Sequence, residues 1–362
     1  MRHLLLVGAG HAHAQVLLEW ARAPLAGVEV TVVSPGAFAP YSGMVPGWLA
    51  GVYRFDEIGI DFAALARAAG ARFVAGEVVA LDAARREVTL ADGARLGYDV
   101  LSLNIGSTLR PPPIDGATVL PLRPLARLRE GYDAVLAELA TTDRPLAVTA
   151  VGGGAAGVES VLAVVARLRA QRPHRPIAAR LVTRSADLLP GMAPGAARRV
   201  RAALGRAGVR IECGTAFDPA TVAPGQLVLW ASGAQAHAWP AASALACDTA
   251  GFVRIDHHLR SVSHPEVHAV GDCAAWVPPL PKAGVYAVRM GPILVHNLRA
   301  ALGAGALRTY APQHRYLALL ATADGRAVAA WGRWSVEGAW AWRWKDRIDR
   351  RFVRRFTHAA GA

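Results

Sequence analysis

Two glycine-rich turns lie far apart in the 362-residue sequence, and each directly follows a short apolar run. Gly8-Ala9-Gly10 follows residues 3–7, and the Gly-Gly-Gly-Ala-Ala-Gly turn at 152–157 follows residues 146–151. A short apolar run is typical of a buried parallel strand. Glycine in the next turn lets the backbone approach a phosphate, and the free N–H groups at the start of the following helix attract that charge. The pattern therefore predicts two strand–turn–helix units that each bind a pyrophosphate.

A third signal is Gly271-Asp272, which ends the apolar run at 267–270. A single glycine turn is often only an ordinary strand-to-helix connection. Two such turns, followed by a Gly-Asp pair, instead predict two dinucleotides held face to face. That arrangement suits hydride transfer from a nicotinamide to a flavin, so we expect FAD as the cofactor and NADH or NADPH as the co-substrate.

The alternation of strand and helix patterns predicts an α/β fold with two Rossmann-like dinucleotide-binding domains and a small C-terminal α+β segment. Pro111-Pro112-Pro113 forms a stiff connector, and Gly-Asp belongs with the first dinucleotide, so the chain is expected to return to the first domain after residue 240. The predicted divisions are 1–111 (FAD), 112–240 (NAD(P)H), 241–305 (FAD, continued) and 306–362. Within them, residues 72–79 are expected to form one strand, and the C-terminal segment is expected to contain two strands and a helix.

These motifs resemble those of the pyridine nucleotide-disulfide oxidoreductase superfamily, in which each chain has two dinucleotide-binding domains. Within it the chain looks most like the type II NADH dehydrogenase-like branch, and the subgroup found fused to, or encoded beside, selenide, water dikinase. The segments that carry the resemblance are residues 3–10, 40–47, 151–159, 264–274, 281–285 and 337–340.

The resemblance implies an FAD-dependent enzyme that takes hydride from NAD(P)H and passes electrons to a quinone-like acceptor. It implies that Asp272 accepts a hydrogen bond from the flavin ribityl chain, or else only caps a helix. It also implies that the N–H groups of Ala283 and Gly284 face the flavin pyrimidine. Glu159 would face the nicotinamide and the flavin, or else pair with an arginine. Lys282 would stabilise charge on the reduced flavin, or else be solvated.

The resemblance also implies the remaining nucleotide contacts. The further residues expected at FAD are Gly8, Gly10, His11, Ala12, Ser34, Pro35, Pro40, Tyr41, Val78, Asn104, Gly106 and Gly271. Those expected at the nicotinamide nucleotide are Gly152, Gly154, Ala155, Ala156, Gly157, Arg184, Ser232 and Gly233.

The sequence departs from the family pattern at two positions. His13 replaces the third glycine of the first turn, which serves helix–strand packing more than phosphate contact, so FAD binding is still expected. Ser34 stands where an acidic residue usually holds the adenosine ribose. Arg184 follows the predicted strand 177–183, where an arginine accommodates a 2′-phosphate, and this favours NADPH or no strict preference between NADPH and NADH. An ordinary surface arginine is the alternative.

Composition narrows the chemistry further. The three cysteines, Cys213, Cys247 and Cys273, form no C-x-x-C pair, so a dithiol redox centre is not expected, and their scarcity fits a cytoplasmic location. The net charge of +13 favours acidic partners such as anionic lipid, nucleic acid or polyanionic cofactors, and of these no nucleic-acid partner is expected. Two histidine pairs, His11 with His13 and His257 with His258, have no cysteine or carboxylate at metal-ligand spacing, so no metal is expected.

The C-terminal region combines aromatic and basic residues. Apolar residues recur at spacing four, at Trp340, Trp344, Ile348, Phe352 and Phe356, with arginines between them. This composition predicts an interfacial helix over 340–356 on an anionic membrane, at the inner face of the cell membrane. Packing of the stripe on the protein's own core, or on a second copy in a homodimer, is the alternative. Two other functions stay open: a sulfide- or selenium-linked FAD oxidoreductase, and a non-enzymatic redox sensor on the membrane.

Overall fold

The computed structural model describes residues 1–141, 146–313 and 315–360. The N-terminal portion of the chain forms β1 (Arg2–Val7), α1 (His11–Arg22), β2 (Val28–Ser34), β3 (Phe38–Pro40), α2 (Val45–Leu49), β4 (Gly59–Asp61), α3 (Phe62–Ala68), β5 (Arg72–Ala75), β6 (Val78–Asp82), β7 (Glu87–Leu90), β8 (Arg95–Gly97), β9 (Val100–Leu103) and β10 (Thr108–Leu109). The central portion forms β11 (Thr118–Pro121), α4 (Leu125–Thr141), β12 (Leu146–Val151), α5 (Ala155–Gln171), β13 (Ile177–Thr183), α6 (Pro194–Arg206), β14 (Val209–Cys213), β15 (Leu227–Trp230) and β16 (Ala234–Gln235).

The remainder forms α7 (Ala238–Ala241), β17 (Val253–Arg254), β18 (Val267–Ala269), β19 (Ala274–Ala275), α8 (Gly284–Ala301), β20 (Leu317–Ala321), β21 (Ala327–Trp331), β22 (Trp334–Gly338) and α9 (Ala339–Ala360). A short 3-10 turn at Gly271–Cys273 carries the Gly-Asp pair.

Two five-stranded parallel sheets organise the chain, as the predicted α/β class requires. Their strand orders are β18-β9-β1-β2-β5 and β11-β15-β12-β13-β14. The apolar runs form the middle strands, and Leu4, Leu5 and Leu6 of β1 are fully buried. β1 and β12 each have a later strand on one side and the next strand on the other. Each glycine turn therefore lies at the carboxyl end of the middle strand, where open α/β sheets bind ligands.

The segment predicted as one strand over 72–79 is two strands. β5 pairs in parallel with β2, whereas β6 pairs antiparallel with β7 in a separate three-stranded sheet. The break lies at Gly76, whose N–H donates to the Ser34 carbonyl at 3.0 Å. The tail also differs from the prediction, because β20, β21 and β22 form a three-stranded antiparallel sheet instead of two strands.

The apolar stripe of α9 does not form a single surface. Trp340, Trp344 and Ile348 are 49%, 41% and 39% exposed, whereas Phe352 and Phe356 are buried. A step of four residues turns the helix by about 400°, so a stripe at spacing four drifts around the axis by about 40° at each step. The first half of the stripe therefore faces solvent, and the second half packs on the protein's own core.

Candidate functional site

The first glycine turn is built against Asn104, at the end of β9. A Cβ on Gly8, where φ is +98°, would lie 2.5 Å from the Asn104 carbonyl oxygen, and one on Gly10 would lie 2.0 Å from its Oδ1. Asn104 Oδ1 accepts from the Ala12 N–H at 3.1 Å, and its Nδ2 donates to the Val270 carbonyl at 3.0 Å. Asn104 thus fixes the turn, the start of α1 and the strand before Gly-Asp relative to one another.

His13, the departure from the family pattern, belongs to the same turn. It is fully buried, and its Nδ1 lies 2.7 Å from the Gly8 carbonyl oxygen while its Nε2 lies 2.8 Å from the Ser102 hydroxyl. Burial lowers the pKa of His13 to about 4, so the ring is neutral at physiological pH. The ring therefore lies where, in the family pattern, a glycine would let the helix pack closely against the turn.

Three helix N-termini present backbone donors where nucleotides are expected. The residues that cap α1, α5 and α8 are Gly10, Gly154 and Ala283, and none of the three provides a side-chain cap. Helix ends of this kind require outside acceptors for their first N–H groups. A Cβ on Gly154 would meet no atom within 4 Å, so the second turn borders open space. These features fit the pyrophosphates and ring acceptor atoms of two dinucleotides.

Asp272 lies in the 3-10 turn, with its side chain 13% exposed. Its Oδ2 accepts a hydrogen bond from Arg123 Nη1, and the Ser107 hydroxyl lies 3.4 Å away. The same Arg123 nitrogen donates to Ser107 Oγ at 2.6 Å. Arg123 follows β11 of the second sheet, so it connects the two halves of the protein at a predicted flavin contact. The sequence gives no local signal for this pairing, which only the fold brings together.

Aromatic side chains surround the predicted contacts at residues 40 and 41. The ring of His11 lies 5.2 Å from Tyr41 and 5.9 Å from Phe352, and Tyr41 and Phe352 are 4.6 Å apart. Burial lowers the pKa of His11 to about 4, against the Pro40 carbonyl and Asp272, which raise it. The helix α9 therefore closes over the loop that the resemblance assigns to FAD.

The other predicted FAD contacts surround the carboxyl edge of the first sheet. Ser34 ends β2 and is buried, with Pro35 exposed after it, and Val78 is buried at the start of β6. Gly106 and Gly271 adopt φ of +70° and +71°, a region that favours glycine.

Lys282 is partly buried, and its side chain is held by contacts with the protein. Its Nζ donates to the Ala274 carbonyl at 2.8 Å and lies 3.6 Å from the centroid of the Phe252 ring. Burial lowers its pKa. The ammonium group is therefore fixed in the segment that links Asp272 to the start of α8.

In the second glycine turn, two glycines approach each other closely. A Cβ on Gly157 would lie 2.0 Å from the Gly152 carbonyl oxygen, and Gly152 has φ of +122°. Ala155 and Ala156 form the first positions of α5. Ala231 follows β15, and its N–H donates to the Val151 carbonyl at 2.9 Å. Ser232 and Gly233 come next in the chain. These predicted contacts meet at the carboxyl edge of the second sheet.

Glu159 lies on α5, where this helix meets the tail of the chain. It is 9% exposed, its Oε1 accepts from the Ala321 N–H at 2.7 Å, and among the residues that the structure describes no arginine forms an ion pair with it. Burial raises its pKa to about 7, and the charge of Lys345 opposes that rise. Lys345 is itself buried on α9, where its Nζ donates to the Gly43 carbonyl at 2.7 Å and to Asp349 Oδ2 at 2.8 Å.

Glu159 borders a cavity of about 60 Å³ between α2, α5, the tail sheet and α9. Ala163, Val52 and Trp342 supply apolar walls, and Arg326 is its basic residue. The sequence could not predict this site, because its residues come from four separated segments. The cavity combines an apolar surface with one carboxyl group that gains or loses a proton near neutral pH.

The cysteines show no redox pairing. All three are free, and Cys273 is buried, with its Sγ near the Leu103 and Val270 carbonyl oxygens at 3.4 and 3.3 Å. Burial raises the pKa of the Cys273 thiol, so the thiolate is disfavoured. Within the described ranges, no group of three or more His, Cys, Asp or Glu side chains could hold a metal ion.

The chain has two parallel sheets with a glycine turn at each switch point. This is the architecture of a protein with two dinucleotide-binding domains. The chain belongs to the pyridine nucleotide-disulphide oxidoreductase family, whose profile matches residues 2–297. It is therefore an enzyme that uses FAD and a nicotinamide nucleotide.

Three individual proteins are similar to this chain in sequence or in fold. An NADH dehydrogenase-like protein of Mycobacterium tuberculosis (strain ATCC 25618 / H37Rv) is 29% identical over 232 residues, which is 57% of this chain and 56% of that protein. The sulfide:quinone oxidoreductase of Aquifex aeolicus has a similar fold, with a TM-score of 0.80, 16% identity and coverage of 99% and 92% of the two chains. NDH2 from Plasmodium falciparum in complex with NADH gives a TM-score of 0.77, 14% identity and coverage of 98% and 97%.

Proposed function

We propose that this enzyme transfers electrons from NAD(P)H through FAD to a quinone-like acceptor whose reactive oxygen reaches the Glu159 cavity. The observation that carries the proposal is a protonatable carboxyl group in an otherwise largely apolar cavity, beside the predicted FAD loop. Reduction of a quinone consumes protons as well as electrons, so a buried acid with a pKa near 7 suits its site. Two proteins of similar fold support this proposal: a sulfide:quinone oxidoreductase, and NDH2 in complex with NADH.

The residues of the chain have separate tasks in this proposal. Bound FAD would accept electrons from the nicotinamide and deliver them to the acceptor. Asp272, and the backbone N–H groups at the starts of α1 and α8, would hold FAD. Glu159 would donate a proton to the acceptor oxygen, and the Lys345–Asp349 pair would keep the residue 40–43 loop and α9 in place around the site.

Glu159→Gln tests the acceptor site, with the exposed Glu138→Gln on α4 as a control. Anaerobic reduction of the flavin by NAD(P)H should stay within twofold. Turnover with a short-chain quinone should fall by about 10²-fold, the lower range for a lost general acid. The limb of the pH profile near 7 should disappear in the variant. Equal loss of flavin reduction would instead assign Glu159 to the nicotinamide and overturn the acceptor site.

We also propose that the enzyme binds the cytoplasmic surface of an anionic membrane through an exposed aromatic patch. The patch consists of Trp331, Trp334, Trp340, Trp344 and Ile348, which are between 39% and 80% exposed. Exposed arginines of α9 follow the patch, at Arg343, Arg347 and Arg351. Aromatic residues beside arginines suit the interface of an anionic leaflet. No helix among the described residues is long and apolar enough to cross a membrane.

The double variant Trp340→Ser/Trp344→Ser tests the patch, because both side chains are exposed and their loss leaves the core intact. Truncation of α9 is unsuitable, since it would remove the buried Phe352 and Phe356. Wild-type protein should float with phosphatidylglycerol-containing liposomes at low salt and dissociate as salt rises. The double variant should not float, while Val262→Ser, an exposed apolar control, should. Salt-independent dimerisation through the patch, without flotation, would contradict the membrane proposal and favour a homodimer.

The sulfide-linked alternative is supported by the similar fold of a sulfide:quinone oxidoreductase. Against it, the Cys273 thiol is buried and hydrogen-bonded in the core. The link to selenide, water dikinase remains a proposal that rests on the sequence resemblance.

A further inference from the structure

The connection between β13 and α6, residues 184–193, lies directly beside the second glycine turn. Leu189 N–H donates to the Gly153 carbonyl at 2.8 Å, and a Cβ on Gly153 would come within 2.9 Å of the Thr183 side chain. In a dinucleotide-binding sheet, the adenosine ribose bound at the turn reaches the end of the neighbouring strand. The residues after Thr183 would therefore lie nearest the ribose 2′ position of a nucleotide bound at this turn.

Asp187, the one acidic residue of this connection, already accepts hydrogen bonds from other groups of the protein. Asp187 Oδ1 accepts from Arg201 Nη2 at 2.6 Å, from Arg201 Nε at 3.0 Å and from the Leu188 N–H at 2.7 Å. The hydrogen bonds from Arg201 hold the pKa of Asp187 below its usual range. An NADH site uses a carboxylate to accept from the free ribose 2′-hydroxyl. All three hydrogen bonds fall on Oδ1, so Asp187 is already paired with Arg201 and is not a free carboxylate for a ribose hydroxyl.

A basic residue stands at the critical position instead. Arg184, the first residue after β13, is exposed, and among the described residues its guanidinium has no hydrogen-bond or ion-pair partner. Ser185 follows it, with its N–H on Thr183 Oγ1 at 3.3 Å and its carbonyl accepting from Gly214 N–H at 2.9 Å. The backbone on both sides of Arg184 is therefore fixed, while its side chain is free to bind a ligand.

We propose that Arg184 and the Ser185 hydroxyl form a 2′-phosphate subsite, so that the enzyme prefers NADPH to NADH. A guanidinium binds a phosphate through paired, charge-assisted hydrogen bonds. NADH has only a hydroxyl at this position, and the one carboxylate of the connection, Asp187, is already paired with Arg201. The inference deepens the proposed function by naming its co-substrate, and it is independent of the acceptor.

Calorimetric titration of the FAD-loaded enzyme with NADP⁺, NAD⁺ and 2′,5′-ADP tests the subsite without any turnover. Wild-type enzyme should bind NADP⁺ at least tenfold more tightly than NAD⁺. Arg184→Ala should weaken NADP⁺ and 2′,5′-ADP at least tenfold and leave NAD⁺ within twofold, and Arg184→Lys should recover some of the loss. Arg85→Ala, an exposed arginine in the first half of the chain, controls for the change in net charge.

Two results would overturn the subsite. One is NAD⁺ binding as tightly as NADP⁺ to the wild type, and the other is an equal loss of both ligands in Arg184→Ala. Failure of quinone turnover would leave the titrations unchanged, so it would count against the acceptor alone.

Discussion

The two glycine turns of this enzyme occupy equivalent places but are closed in different ways. Each leaves the middle strand of a five-stranded parallel sheet, and each begins a helix that has no side-chain cap. In the second turn Gly157 lies so close to the Gly152 carbonyl that a Cβ would be 2.0 Å from the oxygen. In the first turn His13 stands at the corresponding position, and its ring makes hydrogen bonds with the Gly8 carbonyl and Ser102.

The difference shows what the third glycine of the motif supplies. The helix has to pack against the turn, and the turn has to keep its shape when no ligand holds it. The second turn achieves this by close backbone approach. The first turn achieves it with a buried, neutral imidazole that bridges the turn and β9. A departure from the glycine pattern therefore does not by itself indicate a lost nucleotide site.

Gly157→Ala should have the largest effect on folding, because the new Cβ would meet a backbone oxygen that cannot move alone. We expect a loss of about 3 kcal/mol in the free energy of unfolding, at the upper end of overpacking costs. Urea denaturation measures it. Gly205→Ala is the matched control, since a Cβ there meets nothing within 4 Å and alanine favours the helix α6 by about 0.5–1 kcal/mol. Equal stability of the two variants would mean that the second turn tolerates a wider approach.

His13→Ala should cost slightly less, about 2–3 kcal/mol, because the Gly8 carbonyl and the Ser102 hydroxyl lose a buried partner. The exposed His174→Ala serves as a control and should leave the unfolding midpoint unchanged. FAD affinity should also fall in His13→Ala, because the turn that would approach the pyrophosphate loses the hydrogen bonds of the His13 ring. Unchanged stability and FAD affinity would show that the first turn holds its shape through Asn104 alone.

The same residue predicts an acid sensitivity of smaller size. Burial lowers the pKa of His13 from 6.5 to about 4, so between these values the unfolded chain binds a proton that the folded chain excludes. Stability should therefore fall as the pH drops below about 6.5, and by pH 5 this one group accounts for about 2 kcal/mol. Urea midpoints measured from pH 7 to 5 should fall less steeply in His13→Ala than in the wild type. Parallel slopes would mean that His13 is not the residue excluded from protonation.

Much of this architecture follows from local sequence. The apolar runs, the glycine turns and the Gly-Asp pair predicted the two parallel sheets and the helices after them, because strand burial and turn geometry are local requirements. The break at Gly76 was missed, since residues 72–79 stay strand-like while the chain changes sheets. The α9 stripe was misjudged because the spacing alone does not show how far it drifts around the helix.

The candidate site was only partly predictable. Glu159 was singled out from its place after the second turn, but its contact with the Ala321 N–H and its nearness to Lys345 depend on the tail folding back over α5. Arg123 reaches Asp272 across 149 residues of sequence. Such contacts join segments that carry no common local pattern, so only the folded chain places them together.

Gly154→Val should have the smallest effect on stability and the most selective effect on function. A Cβ at Gly154 meets no atom within 4 Å, and the residue has an extended backbone with φ of −76° and ψ of 176°, so valine fits the fold. We expect the free energy of unfolding to change by less than about 0.5 kcal/mol. The added side chain would fill the space that a pyrophosphate needs, so NADP⁺ and NAD⁺ binding should be lost while FAD stays bound. Gly10→Val, at the equivalent position of the first turn, should instead destabilise the protein, because its Cβ would lie 2.0 Å from Asn104 Oδ1. If Gly154→Val bound the nicotinamide nucleotides normally, the open space at the second turn would not be their site, and the comparison of the two turns would concern packing alone.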